Sequence, residues 1–140
     1  MAQRKQRRVA KAPAKRDDSY GDAKRAAADL VQGLRRRGVD RAKIGGFDVD
    51  GVLRGKYVSK EKFWSAAEGG FGFCDVIFGW DIGDVLYDNA KVTGWHSGYP
   101  DAHARVDLST FRMIPWEPGT AAFLVDFVNA DGSPHPACPR

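Results

Sequence analysis

The sequence predicts a single α+β domain, a mixed sheet with helices packed on one side. Three observations lead to this prediction. The chain has 140 residues, of which 43% are hydrophobic, which is enough for one core. Two segments with helical periodicity flank a hairpin pattern, and two strand-like segments follow near the end of the chain. Helices and antiparallel strands in this order favour an α+β arrangement.

The first predicted helix begins at Asp22, whose carboxylate can cap it. Gly38 is placed to end the helix, and the arginines 35–37 suit the negative end of its dipole. This triplet therefore needs no ligand to account for it. The apolar residues that recur at helical spacing are Ala23, Ala26, Ala27, Leu30 and Leu34.

Residues 44–58 predict a β-hairpin, because two short strand-like runs flank Asp50-Gly51, a dipeptide that readily adopts the positive φ of a tight turn. Ser59 can cap a second helix over residues 60–68, which the glycines 69–70 end. Phe63, Trp64 and Ala67 fall on one side of this helix and predict packing against the sheet.

The second half of the chain predicts strands and one long loop. Residues 71–88 are rich in aromatic and β-branched types with glycines between them, which predicts an extended strand with bends or close backbone approaches. Residues 88–100 have no sustained period and predict a loop of the kind that carries function. Strands over 104–115 and 121–129, joined by a turn at 116–119, close the domain.

The basic charge is concentrated at one end of the chain. The formal net charge is +4, yet residues 1–16 hold seven of the 22 Lys and Arg residues and no acid. Residues 17–140 are therefore mildly acidic. A like-charged segment with few apolar residues cannot offset its ordering entropy, so residues 1–20 are predicted to form a disordered basic tail. This tail is read as a solvated extension, with an RNA-binding or membrane-surface arm and a mitochondrial transit peptide as alternatives.

Several function classes are disfavoured by what the sequence lacks. The longest uninterrupted apolar run, residues 121–125, is far too short to cross a membrane, and the amino-terminal residues have no apolar stretch typical of a secretory signal. Two cysteines make no disulfide framework, so we expect a cytoplasmic protein. Neither a G-x-x-x-x-G-K-[ST] loop nor a G-x-S-x-G, H-E-x-x-H or C-x-x-C motif occurs. The three histidines lie in separate segments, and no metal site is expected. These observations alone leave the activity open.

Several segments in collinear order carry a resemblance to a known family. They are residues 51–58 (GVLRGKYV), 80–82 (WDI), 98–101 (GYPD), 106–110 (VDLST), 114–121 (IPWEPGTA), 131–132 (DG) and 139–140 (PR). Together, across residues 25–140, they resemble the amino-terminal domain of the glutamine synthetase family. The resemblance implies a β-grasp domain over residues 21–140, placed before a larger catalytic domain that carries the ATP, Mg²⁺ or Mn²⁺ and glutamate sites. We therefore expect a fragment that is inactive and binds no cofactor by itself.

The resemblance also implies site residues. In the ring-shaped homo-oligomers of that family, this domain covers the active site of the neighbouring subunit and supplies carboxylates to the amine pocket. Asp81 matches the aspartate that binds the incoming ammonium or amine, and Asp101 matches a second aspartate that holds the loop at the subunit boundary. A buried carboxylate stabilises an ammonium and can help take its proton before nitrogen attacks an acyl phosphate. The alternative is that each aspartate only caps a turn.

One departure from the family concerns the acceptor. The ammonia-dependent enzymes have Asp-Gly-Ser-Ser where this chain has Asp81-Ile82-Gly83-Asp84, and the loop to Asp101 is longer here, as in relatives that use polyamines or other amines. Asp84 is predicted as a second amine carboxylate that would suit a larger cation, while ammonia stays open. The expected function is therefore ATP-dependent ligation of glutamate to ammonia or an organic amine. The alternative is a stand-alone β-grasp binding or assembly module that uses the basic tail for targeting.

Overall fold

The computed structural model describes residues 19–140, so the predicted basic tail lies outside the described residues except for positions 19 and 20. Those two positions belong to the first helix. The elements in chain order are α1 (Ser19–Arg36), β1 (Arg41–Phe47), β2 (Leu53–Ser59), α2 (Lys60–Gly69), β3 (Phe71–Cys74), a 3-10 helix (Asp75–Phe78), β4 (Asp101–Met113) and β5 (Thr120–Val128).

The five strands form one mixed sheet in the order β2-β1-β5-β4-β3. The central strand β5 runs parallel to its neighbour β1, and every other neighbouring pair is antiparallel. Arg41 Nε donates a hydrogen bond of 3.0 Å to Thr120 Oγ1 across the parallel pair, although the two residues are 79 positions apart. The predicted α+β class with a mixed sheet is confirmed.

The helix ends follow local capping chemistry, with one correction. The helix α1 begins at Ser19, so Asp22 lies within it and does not cap it. Gly38 adopts φ 66° just after the helix, as its position predicts. The Oγ of Ser59 accepts a hydrogen bond of 3.3 Å from the Lys62 amide at the start of α2, and Gly70 N–H donates to Ala66 O at its end.

The predicted strand over residues 71–88 is wrong beyond Cys74. The chain turns into the 3-10 helix, which buries Ile77 and Phe78 in the core, and the Asp75 amide donates to Pro100 O. A short apolar run has no period that distinguishes a strand from a buried helical turn, and this is the physical reason for the error. Residues 88–100 form the predicted long irregular loop.

The core is one buried cluster to which both helices contribute. Leu34 of α1 and Phe63 of α2 are buried with Phe123 of β5, and the rings of Phe63 and Phe123 stack with centroids 4.5 Å apart. Alternate residues of β5 enter the same cluster, which fixes the register of the central strand. These residues are Ala121, Phe123, Val125 and Phe127. Neither helix in the described part of the chain has the length and hydropathy to cross a membrane.

Candidate functional site

Two of the three aspartates singled out from the sequence lie in one small hairpin, residues 79–87, which we call the site loop. Trp80 and Leu86 pair as an isolated antiparallel bridge. The Asp81 amide donates to Val85 O over 2.9 Å, and the Asp84 amide donates to Asp81 O over 3.0 Å. These bonds close a tight turn that carries the carboxylates of Asp81 and Asp84 three positions apart.

The Asp81 carboxylate uses one oxygen to hold this turn. Its Oδ1 accepts hydrogen bonds from the amides of Gly83 and Val85, at 2.8 and 3.0 Å. Among the residues that the structure describes, Oδ2 has no hydrogen-bond partner, and the residue is half-buried. Asp81 therefore caps a turn and also presents a second acceptor oxygen that can bind a cation.

Arg54 of β2 connects the site loop to the rest of the sheet. Its Nη1 donates to Asp84 Oδ1, and its Nη2 donates to the main-chain carbonyl of Asp81 over 3.2 Å. The guanidinium also lies over the ring of Trp80, 5.0 Å from its centroid. Arg54 thus contacts the site loop at three residues.

The other side of Arg54 is held by Asp48, the residue that follows β1. Asp48 is fully buried, and its Oδ2 accepts from Arg54 Nε over 2.8 Å. Its Oδ1 accepts from the amides of Asp50 and Val52, so the carboxylate also organises the β1–β2 turn. Burial acts to raise the pKa of Asp48, but the bond from Arg54 and the two amide bonds outweigh it and hold the pKa below its usual value.

Asp50 and Tyr87 complete the cluster. The Tyr87 hydroxyl donates to Asp50 Oδ2 over 3.3 Å. Partial burial and the charge of Asp50 raise the pKa of Tyr87 above its usual value. The cluster thus holds four aspartates, at positions 48, 50, 81 and 84, and one guanidinium, which pairs with the carboxylates of Asp48 and Asp84. The excess of carboxylates favours binding of a cation.

Asp101 lies apart from this cluster, at the start of β4. It pairs in register with Cys74 of β3, and its carboxylate covers the Cα of Gly72, where a larger residue would collide with it. The structure therefore brings Asp81 and Asp84 together through Arg54, whereas Asp101 lies at the start of β4, beside the edge strand β3, and shares no hydrogen bond with either.

A buried hydrogen bond anchors the long loop of residues 88–100. Thr93 is fully buried, and its Oγ1 donates to Asp75 Oδ1 over 2.5 Å. The Thr93 side chain also packs against Gly79, where an added Cβ would lie 2.7 Å from Thr93 Cγ2. The long loop and the site loop are thus fixed to each other at the end of the 3-10 helix.

Apolar side chains project from both loops. Ile82 is 74% exposed, Val85 is 62% exposed and Trp95 is 84% exposed. Large apolar groups concentrated around a polar cluster mark a surface suited to contact with another molecule or subunit.

Sequence reasoning missed Asp48, Arg54 and Thr93 as parts of this site. The pattern Asp48-x-Asp50-Gly51 carries a signal for the first, since an aspartate before a turn commonly accepts the amide two residues on. The contact of Arg54 with the site loop and the contact of Thr93 with Asp75 have no local signal, because these partners lie 30 and 18 positions away.

The histidines and cysteines form no metal cluster in residues 19–140. Across this range, no group of three His, Cys, Asp or Glu side chains is placed to hold a metal ion. His135 stacks on Phe78 with ring centroids 5.0 Å apart, and both cysteines are free thiols.

Proteins with similar sequences include enzymes that ligate glutamate. Type-1 glutamine synthetase 2 of Dictyostelium discoideum is 60% identical over 98 residues, which is 70% of this chain and 19% of that protein. A glutamate–isopropylamine ligase of a Pseudomonas species is 41% identical over 108 residues, which is 76% of this chain and 24% of that protein. The chain thus spans only about a fifth to a quarter of the length of these curated relatives.

The fold has solved counterparts. The ligand-free structure of GmaS matches with a TM-score of 0.58 at 24% identity, over 80% of this chain and 23% of that one. At this identity the likeness concerns the fold alone. No protein-family profile matches the chain.

Proposed function

This chain belongs to the glutamine synthetase family, and on that basis we propose that it is the amino-terminal β-grasp part of an ATP-dependent ligase that joins glutamate to ammonia or an organic amine. The observation that carries the proposal is the hydrogen bonding of the Asp81 carboxylate. One of its carboxylate oxygens is fixed by the turn, and the other has no partner among the described residues. A carboxylate held in this way is oriented before a cation arrives.

Within this proposal, Asp81 Oδ2 accepts a hydrogen bond from the ammonium and stabilises its charge. The same carboxylate helps take a proton, so that the nitrogen becomes nucleophilic before it attacks an activated glutamate. The surrounding aspartates support this role, because carboxylates outnumber the guanidinium in the cluster. Asp84 is the second carboxylate of the site, and Asp101 holds the loop at the boundary with the next subunit.

In this proposal, the residues that bind ATP, the metal ion and glutamate lie outside this chain. The described residues do not fit a metal, because they contain no cluster of three ligating side chains, and the sequence has no Walker-type phosphate loop. We therefore place ATP, Mg²⁺ or Mn²⁺ and glutamate in the remainder of a full-length cytoplasmic ligase, and derive no step from them here.

The neighbouring subunit is part of the proposal. The exposed apolar groups of Ile82, Val85 and Trp95 would be covered if the site loop faced the catalytic part of an adjacent subunit in a homo-oligomeric ring. That arrangement would also lower the dielectric around Asp81 and strengthen its attraction for an ammonium.

The decisive experiment is Asp81→Asn in the full-length ligase. Asparagine keeps an Oδ1 that can accept from Gly83 and Val85, so the turn is preserved while the charge is lost. We expect kcat/KM for the amine to fall roughly ten- to a hundredfold, because the variant loses one charge-assisted hydrogen bond to the ammonium. The KM values for ATP and glutamate should change little.

The matched control is Asp29→Asn, since Asp29 is exposed on α1 and has no part in the proposed site. It should leave all three substrates unaffected. If Asp81→Asn lowered the use of ATP, glutamate and amine alike, Asp81 would be a turn cap only and the amine-site assignment would be wrong.

A further inference from the structure

We propose that Arg54 is an internal cation that occupies Asp84 and thereby restricts the site to acceptors carrying a single positive charge. This inference rests on the proposed function and names the class of amine. It concerns selectivity between monoamines and diamines, and Arg54 acts through Asp84 without contacting the reacting nitrogen.

The first support is where the guanidinium binds. Arg54 Nη1 donates to Asp84 Oδ1 and Nη2 donates to the Asp81 carbonyl, so one side chain spans both ends of the turn. Asp84 is 63% exposed at its side chain. An external cation could therefore reach the Asp84 carboxylate if Arg54 did not already bind it.

The second support is that Arg54 cannot readily leave. Its Nε is bound to the fully buried Asp48 carboxylate, and its plane lies over Trp80. Only 18% of the Arg54 side chain is exposed. Movement away from the site loop would strand a buried carboxylate without its counter-ion, which is strongly unfavourable.

The consequence follows from charge. A diamine that placed one ammonium on Asp81 would need a second carboxylate nearby for its other end, and Asp84 is three positions away in the same turn. Arg54 already pairs with Asp84, so a second ammonium at Asp84 would compete with the guanidinium for the same carboxylate and lie beside a like charge. Ammonia or a monoamine has no second charge and meets no such penalty.

The test compares putrescine with ethylamine in the full-length ligase carrying Arg54→Gln. Removing the cation frees Asp84, so the ratio of kcat/KM for putrescine to that for ethylamine should rise roughly two- to fivefold, the range expected for an exposed ion pair. A purely structural role for Arg54 would lower both values together and leave the ratio unchanged.

Two companion variants identify the cause. Arg54→Lys keeps the cation and should keep the wild-type ratio. Arg54→Gln combined with Asp84→Asn removes the freed carboxylate and should abolish the gain. A ratio that rises equally with Asp84 present or absent would overturn the inference.

A third variant guards against misfolding. Arg54→Gln leaves the buried Asp48 carboxylate without its counter-ion. The double variant Asp48→Asn/Arg54→Gln avoids this, because asparagine carries no charge. Thermal unfolding is measured for both variants. An unchanged ratio in the folded Asp48→Asn/Arg54→Gln variant, with normal turnover of ethylamine by the wild type, would overturn this inference alone. Failure of the wild type to use any amine would instead overturn the proposed function, and this inference with it.

Discussion

Asp48 and Arg54 form an ion pair in which the carboxylate is fully buried and the guanidinium extends outward to the site loop. The pair therefore joins two turns that are distant in sequence, the β1–β2 turn and the turn at residues 81–84. A change at Asp48 should be felt in both places, because the same carboxylate also accepts the amides of Asp50 and Val52.

Asp48→Ala should lower the free energy of unfolding of the 140-residue chain by about 3 kcal/mol. The change leaves two backbone amides and the Nε of Arg54 without their acceptor, and breaking a buried pair costs about 3–5 kcal/mol. The loss of stability is measured by urea unfolding, monitored by circular dichroism. The exposed Asp29→Ala should stay within about 0.5 kcal/mol of wild type, and an equally small effect of Asp48→Ala would contradict the role given to the pair.

Acid should destabilise the chain partly through Asp48. Its pKa is lowered from 3.8 in the folded state, so the unfolded chain binds more protons in acid. The stabilisation is fully present above about pH 4 and is lost as the pH falls through the lower folded pKa. Asp107, whose pKa is lowered chiefly by a hydrogen bond from Arg140, acts in the same direction.

Urea midpoints measured from about pH 6 down to about pH 2 check this expectation. The wild-type midpoint should fall more steeply below pH 4 than that of Asp48→Asn, because asparagine has no carboxylate to titrate. Parallel curves for the two proteins would show that Asp48 does not contribute to the acid transition.

Gly79→Ala should destabilise the chain by roughly 1–3 kcal/mol, the usual cost of overpacking. An alanine Cβ would lie 2.7 Å from Thr93 Cγ2. Thr93→Ser removes that methyl group while keeping the hydroxyl that donates to Asp75, so it should restore most of the loss in the Gly79→Ala background.

A double-mutant cycle in urea measures the coupling between Gly79 and Thr93. We expect an interaction energy of about 1 kcal/mol or more, as is typical of residues in contact. Additive effects of the two substitutions would indicate that the site loop and the long loop are not fixed together at this point.

The purified 140-residue chain should show no ligase activity. Its described residues contain no cluster of three metal-ligating side chains, and the sequence has no phosphate loop. Phosphate release dependent on ATP and glutamate should stay at background for this chain and appear for the full-length ligase. Turnover by the short chain would place the catalytic groups within it, and inactivity of both would favour the binding-module alternative.

The parts of the fold that sequence predicts are those with local causes. Ser59 caps α2 through a residue three positions away, and the alternation of the β5 residues that enter the core is visible in the sequence of that strand. The order of the strands depends on pairing between distant segments, and no local pattern encodes it. For this reason the mixed sheet could be predicted but the parallel neighbours β1 and β5 could not.

The candidate site also has parts that the sequence indicates and parts that only the structure shows. Asp81, Asp84 and Asp101 came from a resemblance of motifs, and the assignment of their roles stays a prediction. The ion pair between Asp84 and Arg54 is visible only in the structure, because the two residues are 30 positions apart in the sequence. What looked in sequence like a free second carboxylate has an internal counter-ion once the sheet is assembled.

The parallel pairing of β1 with β5 has a consequence for synthesis on the ribosome. Arg41 and Thr120 are 79 positions apart, so the middle of the sheet closes only after nearly the whole domain has been translated. Until β5 emerges, the nascent chain holds a hairpin and two amphipathic helices, and the Phe63 ring lacks the Phe123 ring on which it stacks. Non-local closure of this kind is slow, so the emerging chain exposes apolar surface in the meantime, and a release just before residue 120 would yield a product that lacks the β5 part of the core, residues 121, 123, 125 and 127.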